Sequence, residues 1–424
     1  MEQRVIFHVD ANSAFLSWTA AYRVKVLGES LDLREVPSVI AGDKESRHGI
    51  ILAKSTPSKK YGIKTGEPLF QALEKCPELI VAPPDYSLYV EASRHFVQML
   101  QQFSPVVQQY SIDEAWVDMT GTQRIFGSPR LAAEKMRQRI WEELGFTVNV
   151  GISSNKLLAK MAGDFEKPNK VHTLFPEEMQ EKMWPLPVRN LFLVGHATEK
   201  KLKGLGVYTI GDLANTELSV LKKRLGKHGE TIWHYANGRN VDMVTPEPEE
   251  NKGYGNSTTT AEDVLTYEHA YQVLLSLCET TAMRMRKDNK CGRCVSVHLR
   301  TNEFQHFSHQ ILLHGATNIT TDLFDAVCRA FDEVWNGTPL RQLGVQVTRL
   351  SAEPYQQYDL FSGLSPRQYE RKLRLDETVD SLRDKFGEDI IRRAKFTRSS
   401  ENHMGGGLDK ARRTGITKPI PKEF

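Results

Sequence analysis

Asp10 and the adjacent pair Asp113-Glu114 are the residues of this 424-residue chain whose types and settings point first to chemistry. Asp10 ends the apolar run from Val5 to Val9, which reads as a buried strand, and Asp113-Glu114 sit in QYSIDEAWVD, which reads as a hairpin with both acids at its tip. If that strand and hairpin are neighbours in one sheet, three carboxylates from distant parts of the chain meet at one edge. Like charges a few ångströms apart raise one another's pKa; two bridging Mg²⁺ ions would remove that cost while activating an attacking oxygen and stabilising a leaving phosphate. Divalent-metal phosphoryl transfer is the chemistry this arrangement suits. Taken alone, the same residues also fit a solvated acidic turn and a helix cap.

Two further segments suit a polyanionic partner. In NLFLVGHATEKKLKGLGVYTIGDLA, Gly195 and Gly206 mark turns between short helices, the layout of a helix-hairpin-helix. Backbone amides at a helix start, with Lys200, Lys201 and Lys203, would grip phosphates without reading bases, although a plain helical hairpin has the same pattern. RMRKDNKCGRCVSVHLR gathers Arg284, Arg286, Lys287, Lys290, Arg293 and Arg300. Its Cys291 and Cys294 have the C-x-x-C spacing of a zinc site, but no second such pair and no paired histidines follow at ligand spacing, so no zinc is expected.

The elements that must position these residues follow from periodicity. After the first strand, Asn12 is expected to cap a helix over 13–26 in which Phe15, Trp18, Tyr22 and Val26 recur at three- and four-residue steps. VPSVIAG and GIILAKS form two short strands around the turn DKESRH, followed by helical EPLFQALEKC. LIVAPP, an amphipathic helix over 85–103, the hairpin, the helix PRLAAEKMRQRIWEEL and the strand TVNVGISSN then complete the order of a ferredoxin-like sheet. The pattern turns wholly helical from near Pro176 to about Arg239, and TPEPEENKG reads as an exposed linker. Beyond it a strand, a helix over 267–286, the strands CVSVHLR and FSHQILL, a helix over 320–335 and the strand QLGVQVTRL predict a second, smaller sheet with two helices. The tail holds QQYDLF, a charged helix over 371–386 and a GGG-containing end expected to be disordered.

Composition bounds the rest. Forty per cent hydrophobic, 26% charged and 9% aromatic residues are ordinary for globular domains and exclude a fibrous or wholly disordered chain. No apolar run reaches the ~18–20 residues of a membrane span, and the start MEQRVIFHVDANS lacks the apolar region of a signal peptide, so a cytoplasmic location is expected. Five cysteines, an odd number, are expected to be thiols. The net charge of +3 divides into +5 from residue 367 onward (15 basic, 10 acidic) and −2 before it, so the basic excess is local.

Three segments together carry a family resemblance. HVDANSAF, YSIDEAWVDMT and SSNKLLAKMAGDFEKPNK resemble, in order and spacing, the three motifs of the Y-family (translesion) DNA polymerases, the group of bacterial DNA polymerases IV and V, and the likeness runs over roughly residues 1 to 360. The resemblance implies an α+β multidomain, right-hand-like polymerase. Its ferredoxin-like palm would span 1–30 and 75–175, small fingers 31–74, a helical thumb with the helix-hairpin-helix 176–245, a linker 246–252, and an α+β little finger 253–352. The clamp-binding motif and tail would occupy 353–424.

It further implies template-directed, low-fidelity addition of dNTPs to a primer 3′-OH with two Mg²⁺ ions, without proofreading. Asp10, Asp113 and Glu114, with the carbonyl of Ala11, would bind metal, Glu114 lying near the primer terminus. Phe15 would be the ribose filter and Lys160 would contact the triphosphate, with Lys167 peripheral. Where the family reads Y-x-A-R-K-F-G, this chain reads Thr56-Pro57-Ser58-Lys59-Lys60-Tyr61-Gly62, so Thr56 and Lys59 would face the nucleotide without the phenol and the bidentate guanidinium. Lys200 and Lys201 would touch DNA from the thumb, in a turn reading VGHAT rather than the family's G-I-G-K, and Arg293 and Arg300 from the little finger. Gln357, Leu360 and Phe361 in Gln357-Tyr358-Asp359-Leu360-Phe361 resemble a sliding-clamp peptide. The implied partners are primed DNA, dNTPs and the bacterial sliding clamp, with no membrane and a monomeric chain. Other classes weighed against this are a catalytically weak or inactive scaffold binding DNA and clamp, and a nucleotidyl cyclase, in which the helix-hairpin-helix and second sheet have no purpose.

Overall fold

The computed structural model describes residues 4–42, 49–247, 250–352, 366–397 and 401–406. The chain divides into two compact units, one from residues 4–42 and 50–247, the other from 250 onward.

In the first unit the strands are β1 (Ile6–Ala11), β2 (Ser38–Ala41), β3 (Ile51–Lys54), β4 (Ile80–Ala82), β5 (Val107–Gln109), β6 (Glu114–Asp118), β7 (Val148–Ser153) and β8 (Val171–Thr173). Five of them form a sheet in the order β5-β6-β1-β7-β8, which is the ferredoxin-like order with one strand added. β1 is central and antiparallel to both neighbours, and all of its residues but Asp10 are buried. Phe7, Val9 and Ala11 face a core completed by Trp18, Tyr89, Phe96 and Ile140. The alternate residues His8 and Asp10 fall on the opposite face, in register with Trp116 and Glu114 of β6.

The helix Lys156–Gly163 packs against β7 so closely that a Cβ at Gly151 would lie 2.0 Å from the carbonyl oxygen of Ala159. Only glycine permits that approach. The same helix contributes Leu157, Leu158 and Met161 to a second core with Val188, Leu202, Ile210, Leu213 and Ile232 of the following helical segment. That segment has the helices His196–Lys203, Ile210–Asn215, Leu218–Leu225 and Lys227–Ala236, in keeping with the helical pattern expected from near Pro176 to about Arg239.

β2, β3 and β4 form a separate small sheet in the order β3-β2-β4. LIVAPP, expected to join the larger sheet, instead supplies β4, which runs parallel to β2. Three residues carry too little alternation to specify a partner, and the backbone bond from Ile80 N to the Pro37 carbonyl (3.0 Å) decides the pairing.

The second unit has β9 (Gly253–Val264), β10 (Cys291–Thr301), β11 (His306–Thr317) and β12 (Leu340–Ser351) in the order β11-β10-β12-β9. The helices Tyr267–Lys287 and Thr320–Val334 cover one face, burying Val295, Val297, Leu299, Leu343, Val345 and Val347. No helix of the described residues is long and apolar enough to cross a membrane.

The C-terminal part departs from expectation. Its helix begins earlier, at Pro366–Phe386, and ion pairs join it to the helical side of this unit. Glu279, 3% exposed, pairs with Arg383 (2.7 Å) and Arg393; Arg286 pairs with Asp380 (2.6 Å) and Asp376 (3.2 Å); Lys372 pairs with Asp322 (2.7 Å). Arg286 therefore leaves the basic cluster it belongs to in the sequence. Part of the end expected to be disordered is packed: Met404 is fully buried and the Gly405 carbonyl accepts from Thr280 Oγ1 (2.9 Å). All five cysteines are free, as expected.

Candidate active site

The register of β1 on β6 places Asp10 directly opposite Glu114. The backbone holds the third acid beside them, because the Ala11 N–H donates to the Asp113 carbonyl at 2.9 Å. The Asp113 carboxylate accepts from Ser111 Oγ at 2.7 Å within the hairpin tip. Asp10, Ala11, Asp113 and Glu114 thus lie together at one end of the paired strands β1 and β6, where pairing of the strand with the hairpin brings the three acids.

Each of the two cross-strand acids is met by a lysine. Lys160 Nζ lies 2.5 Å from Glu114 Oε2, and Lys167 Nζ lies 3.2 Å from Asp10 Oδ2 and 2.8 Å from Asp164. Burial alone would raise the Glu114 pKa, but the adjacent His8 and Lys160 outweigh it and hold the carboxyl at about 2. At Asp10 burial wins over the Lys167 ammonium and the carboxyl is pushed up. His8 Nε2 comes within 3.0 Å of Glu114 Oε2; burial pushes the His8 pKa down against the pull of the Glu114 carboxylate.

Sequence reading missed what brings Lys167 here. Asn12 does not cap the helix Ala14–Lys25: Ser13 takes that place with a left-handed backbone, φ 49°. The Asn12 side chain instead donates to Asn149 Oδ1 (3.1 Å) and accepts from the Asn169 N–H (2.8 Å). Asn149 in turn donates to the carbonyls of Gly163 (3.0 Å) and Glu166 (2.7 Å). These two buried amides tie the segment carrying Lys167 to β1 and β7, so Lys167, expected at the periphery, stands against Asp10.

Phe15, in the first turn of Ala14–Lys25, stacks on Tyr89 with ring centroids 4.4 Å apart and planes 10° from parallel, and meets Tyr86 edge-on at 5.9 Å. Its ring is fixed on one side and remains partly exposed. Thr56 and Lys59 are exposed on the short helix Thr56–Lys59. That helix is anchored beneath by two buried hydroxyls: Ser58 Oγ donates to the Ser38 carbonyl (2.9 Å), and Ser55 and Ser58 both accept from the Ser38 N–H (3.1 and 2.9 Å).

Lys200 and Lys201 are exposed on His196–Lys203, whereas Lys203 is engaged by Glu199 (2.9 Å). The turn after them passes through Gly206 at φ 81° into Ile210–Asn215, which a Thr209–Asp212 capping box starts. In the second unit the sheet face without helices carries Ser257, His298, Arg300, Ser308, Gln342 and Gln346 around a shallow groove of about 470 Å³ and holds no acidic side chain among its lining residues. Arg300 lies over the Phe304 ring (4.5 Å), while Arg293 Nε is spent on the Leu313 carbonyl (2.9 Å). Gln357, Leu360 and Phe361 lie outside the described residues.

The donors at this end of the strands are hard oxygens, which suit Mg²⁺. No cluster of three acidic, histidine or cysteine ligands is preformed among the described residues, the Asp113 carboxylate being turned to Ser111. The upward push on Asp10 marks a buried carboxylate whose charge is incompletely balanced, and a cation there would fit it.

Residues 9–164 match the model of the impB/mucB/samB family, 251–360 that of its C-terminal domain, and 189–240 that of the thumb domain of DNA polymerase-iota. The chain is 44% identical to DNA polymerase IV of Clostridium acetobutylicum, over 94% of this chain and 99% of that one. It is 37% identical to DNA polymerase IV 2 of Bacillus subtilis, over 95% and 97%. Its fold is similar to that of a chimeric Y-family DNA polymerase (Dbh–Dpo4–Dbh), with TM-score 0.69 and 21% identity over 82% of this chain and all of the other. The chain belongs to the impB/mucB/samB family, the Y-family DNA polymerases.

Proposed function

We propose that this DNA-directed DNA polymerase performs low-fidelity, translesion-type synthesis, with the primer 3′-OH attacking the α-phosphate of a dNTP and pyrophosphate leaving. The observation that carries this reading is the cross-strand pair Asp10–Glu114 with Asp113 hydrogen-bonded beside it. Two Mg²⁺ ions held by Asp10, Asp113, Glu114 and the Ala11 carbonyl would supply activation of the 3′-OH and neutralisation of phosphate charge. Lys167, partly exposed at the mouth, Lys59 and Thr56 would hold the triphosphate. Lys200 and Lys201, with Arg300 on the open face of the second unit's sheet, would hold the DNA backbone; Arg293 supports that sheet. Synthesis without proofreading is part of this reading. Primer extension on a primed template tests the whole reading: incorporation directed by the template supports it, and cyclisation of a nucleotide or binding without incorporation overturns it.

Phe15, braced by Tyr89, would occupy the space a 2′-OH needs. Phe15→Ala is expected to raise ribonucleotide over deoxyribonucleotide incorporation by about tenfold or more, a shift of roughly 1.4 kcal/mol in discrimination. Competition assays check it; an unchanged ratio returns Phe15 to a purely packing role.

The segment Gln357-Tyr358-Asp359-Leu360-Phe361 would tether the chain to a sliding clamp in a bacterial cytoplasm, the polymerase itself being monomeric. Two apolar anchors at about 1.5–3 kcal/mol each give modest affinity, and the benefit comes from returning the enzyme to the same primer end. Alanine at Leu360 and Phe361 should shorten products only when clamp is loaded. Lost synthesis on naked primed DNA would show the segment to be structural instead.

A further inference from the structure

We infer that Lys160 is a positioning residue that fixes Glu114 through one carboxylate oxygen, rather than a ligand of the incoming triphosphate; the inference rests on the polymerase reading above. Both neighbours of the Glu114 carboxylate act on the same atom. Lys160 Nζ is 2.5 Å and His8 Nε2 is 3.0 Å from Oε2. Both contacts are to Oε2, so on this inference that oxygen is the anchored one and Oε1 the one available to a cation.

The surroundings of Lys160 keep it there. Its side chain is 11% exposed, and its ammonium sits 5.3 Å from the ring centroid of Tyr110 and 5.3 Å from that of Phe192. These two aromatic faces attract the cation and flank its path. The helix carrying it cannot slide outward without opening a void or inward at all, since Gly151 already meets the Ala159 carbonyl in the closest approach a backbone allows. A triphosphate contact would need Nζ to leave both rings and Glu114. Lys167 presents a different case: its side chain is 33% exposed, three times as much as that of Lys160.

A lysine that positions a carboxylate affects the chemical step, whereas one that binds triphosphate affects nucleotide affinity. The test is Lys160→Met, which keeps length and apolar packing between the rings, with Lys160→Arg as the charge-retaining rescue. Nucleotide affinity is measured by titrating dNTP onto enzyme bound to dideoxy-terminated primer, where no bond can form, and kcat by single-turnover extension. For Lys160→Met we expect kcat to fall about tenfold or more with dNTP affinity within about twofold of the parent, and Lys160→Arg to recover part of the loss. Weakened dNTP affinity by about tenfold with kcat retained would overturn the inference, as would no change in either. If the methionine variant melts early, the arginine variant decides alone: impaired kcat at parental affinity supports positioning, and impaired affinity opposes it. Glu114→Ala run alongside separates the two levels, because full extension by that variant would sink the polymerase assignment of Glu114 itself, whereas an inactive Glu114→Ala with normal Lys160→Met kinetics sinks only this inference.

Discussion

Alanine at Asp113 or at Glu114 will abolish primer extension, by about 100-fold or more, while DNA affinity stays near that of the parent. The separation follows from where these acids sit. They are at a strand end and a hairpin tip, so truncation leaves the core intact: the Phe7, Val9 and Val117 side chains that hold β1 against β6 lie on the other face. The groups read as phosphate grips, Lys200, Lys201 and Arg300, belong to other elements altogether. What is lost is oxygen donors for cations at the moment charge develops on the transferring phosphate. Glu114→Ala additionally leaves Lys160 buried without its partner, so some loss of stability is expected there and not at Asp113, whose side chain bonds only within its own turn. Single-turnover extension with a parallel DNA-binding titration checks both; residual extension within ten times the parental rate would remove that residue from the catalytic set.

Glu279→Ala is expected to destabilise the second unit by about 3–5 kcal/mol, because it strands Arg383 in the interior with no counter-charge. Burial works to raise the Glu279 pKa, but Arg393 and Arg383 pull it down by more, so the folded carboxyl is more acidic than the unfolded one. Its contribution is therefore complete above the unfolded value of 4.5 and is lost as pH falls through the lower folded value. The parent should lose stability on acidification across that range, and the variant should show a flatter acid limb. Denaturant titrations of the full chain from pH 7 to pH 3 check this; equal midpoints at neutral pH would mean that the ion pairs merely balance their desolvation.

Much of the site was legible in the sequence because it lies on regular elements. An unbroken apolar run marked β1, a hairpin marked β6, and pairing them put Asp10 opposite Glu114. Phe15 could be placed for the same reason, lying in the first turn of a periodic stretch. What was not legible depends on polar contacts over long sequence distances, which leave no period. Asn12 looks like a helix cap by its position, and only its partners Asn149 and Asn169 show that it fastens the segment of Lys167. The family resemblance sent Lys160 to the triphosphate and Lys167 to the periphery; the placing of the Lys160 ammonium by Tyr110 and Phe192 leaves no mark in the sequence. The docked tail was invisible for a related reason, since a charged helix held by Glu279 and Arg286 has the composition of a solvated one. β4 was misassigned because three residues cannot specify a sheet.

That docking also changes what kind of ligand the chain can offer to a partner. The residues 352–365, which include Gln357 to Phe361, are bounded by β12 on one side and by the helix Pro366–Phe386 on the other, and both belong to the same compact unit. A partner that took Gln357, Leu360 and Phe361 would therefore meet an internal segment whose two flanking elements belong to one unit, and not a chain terminus.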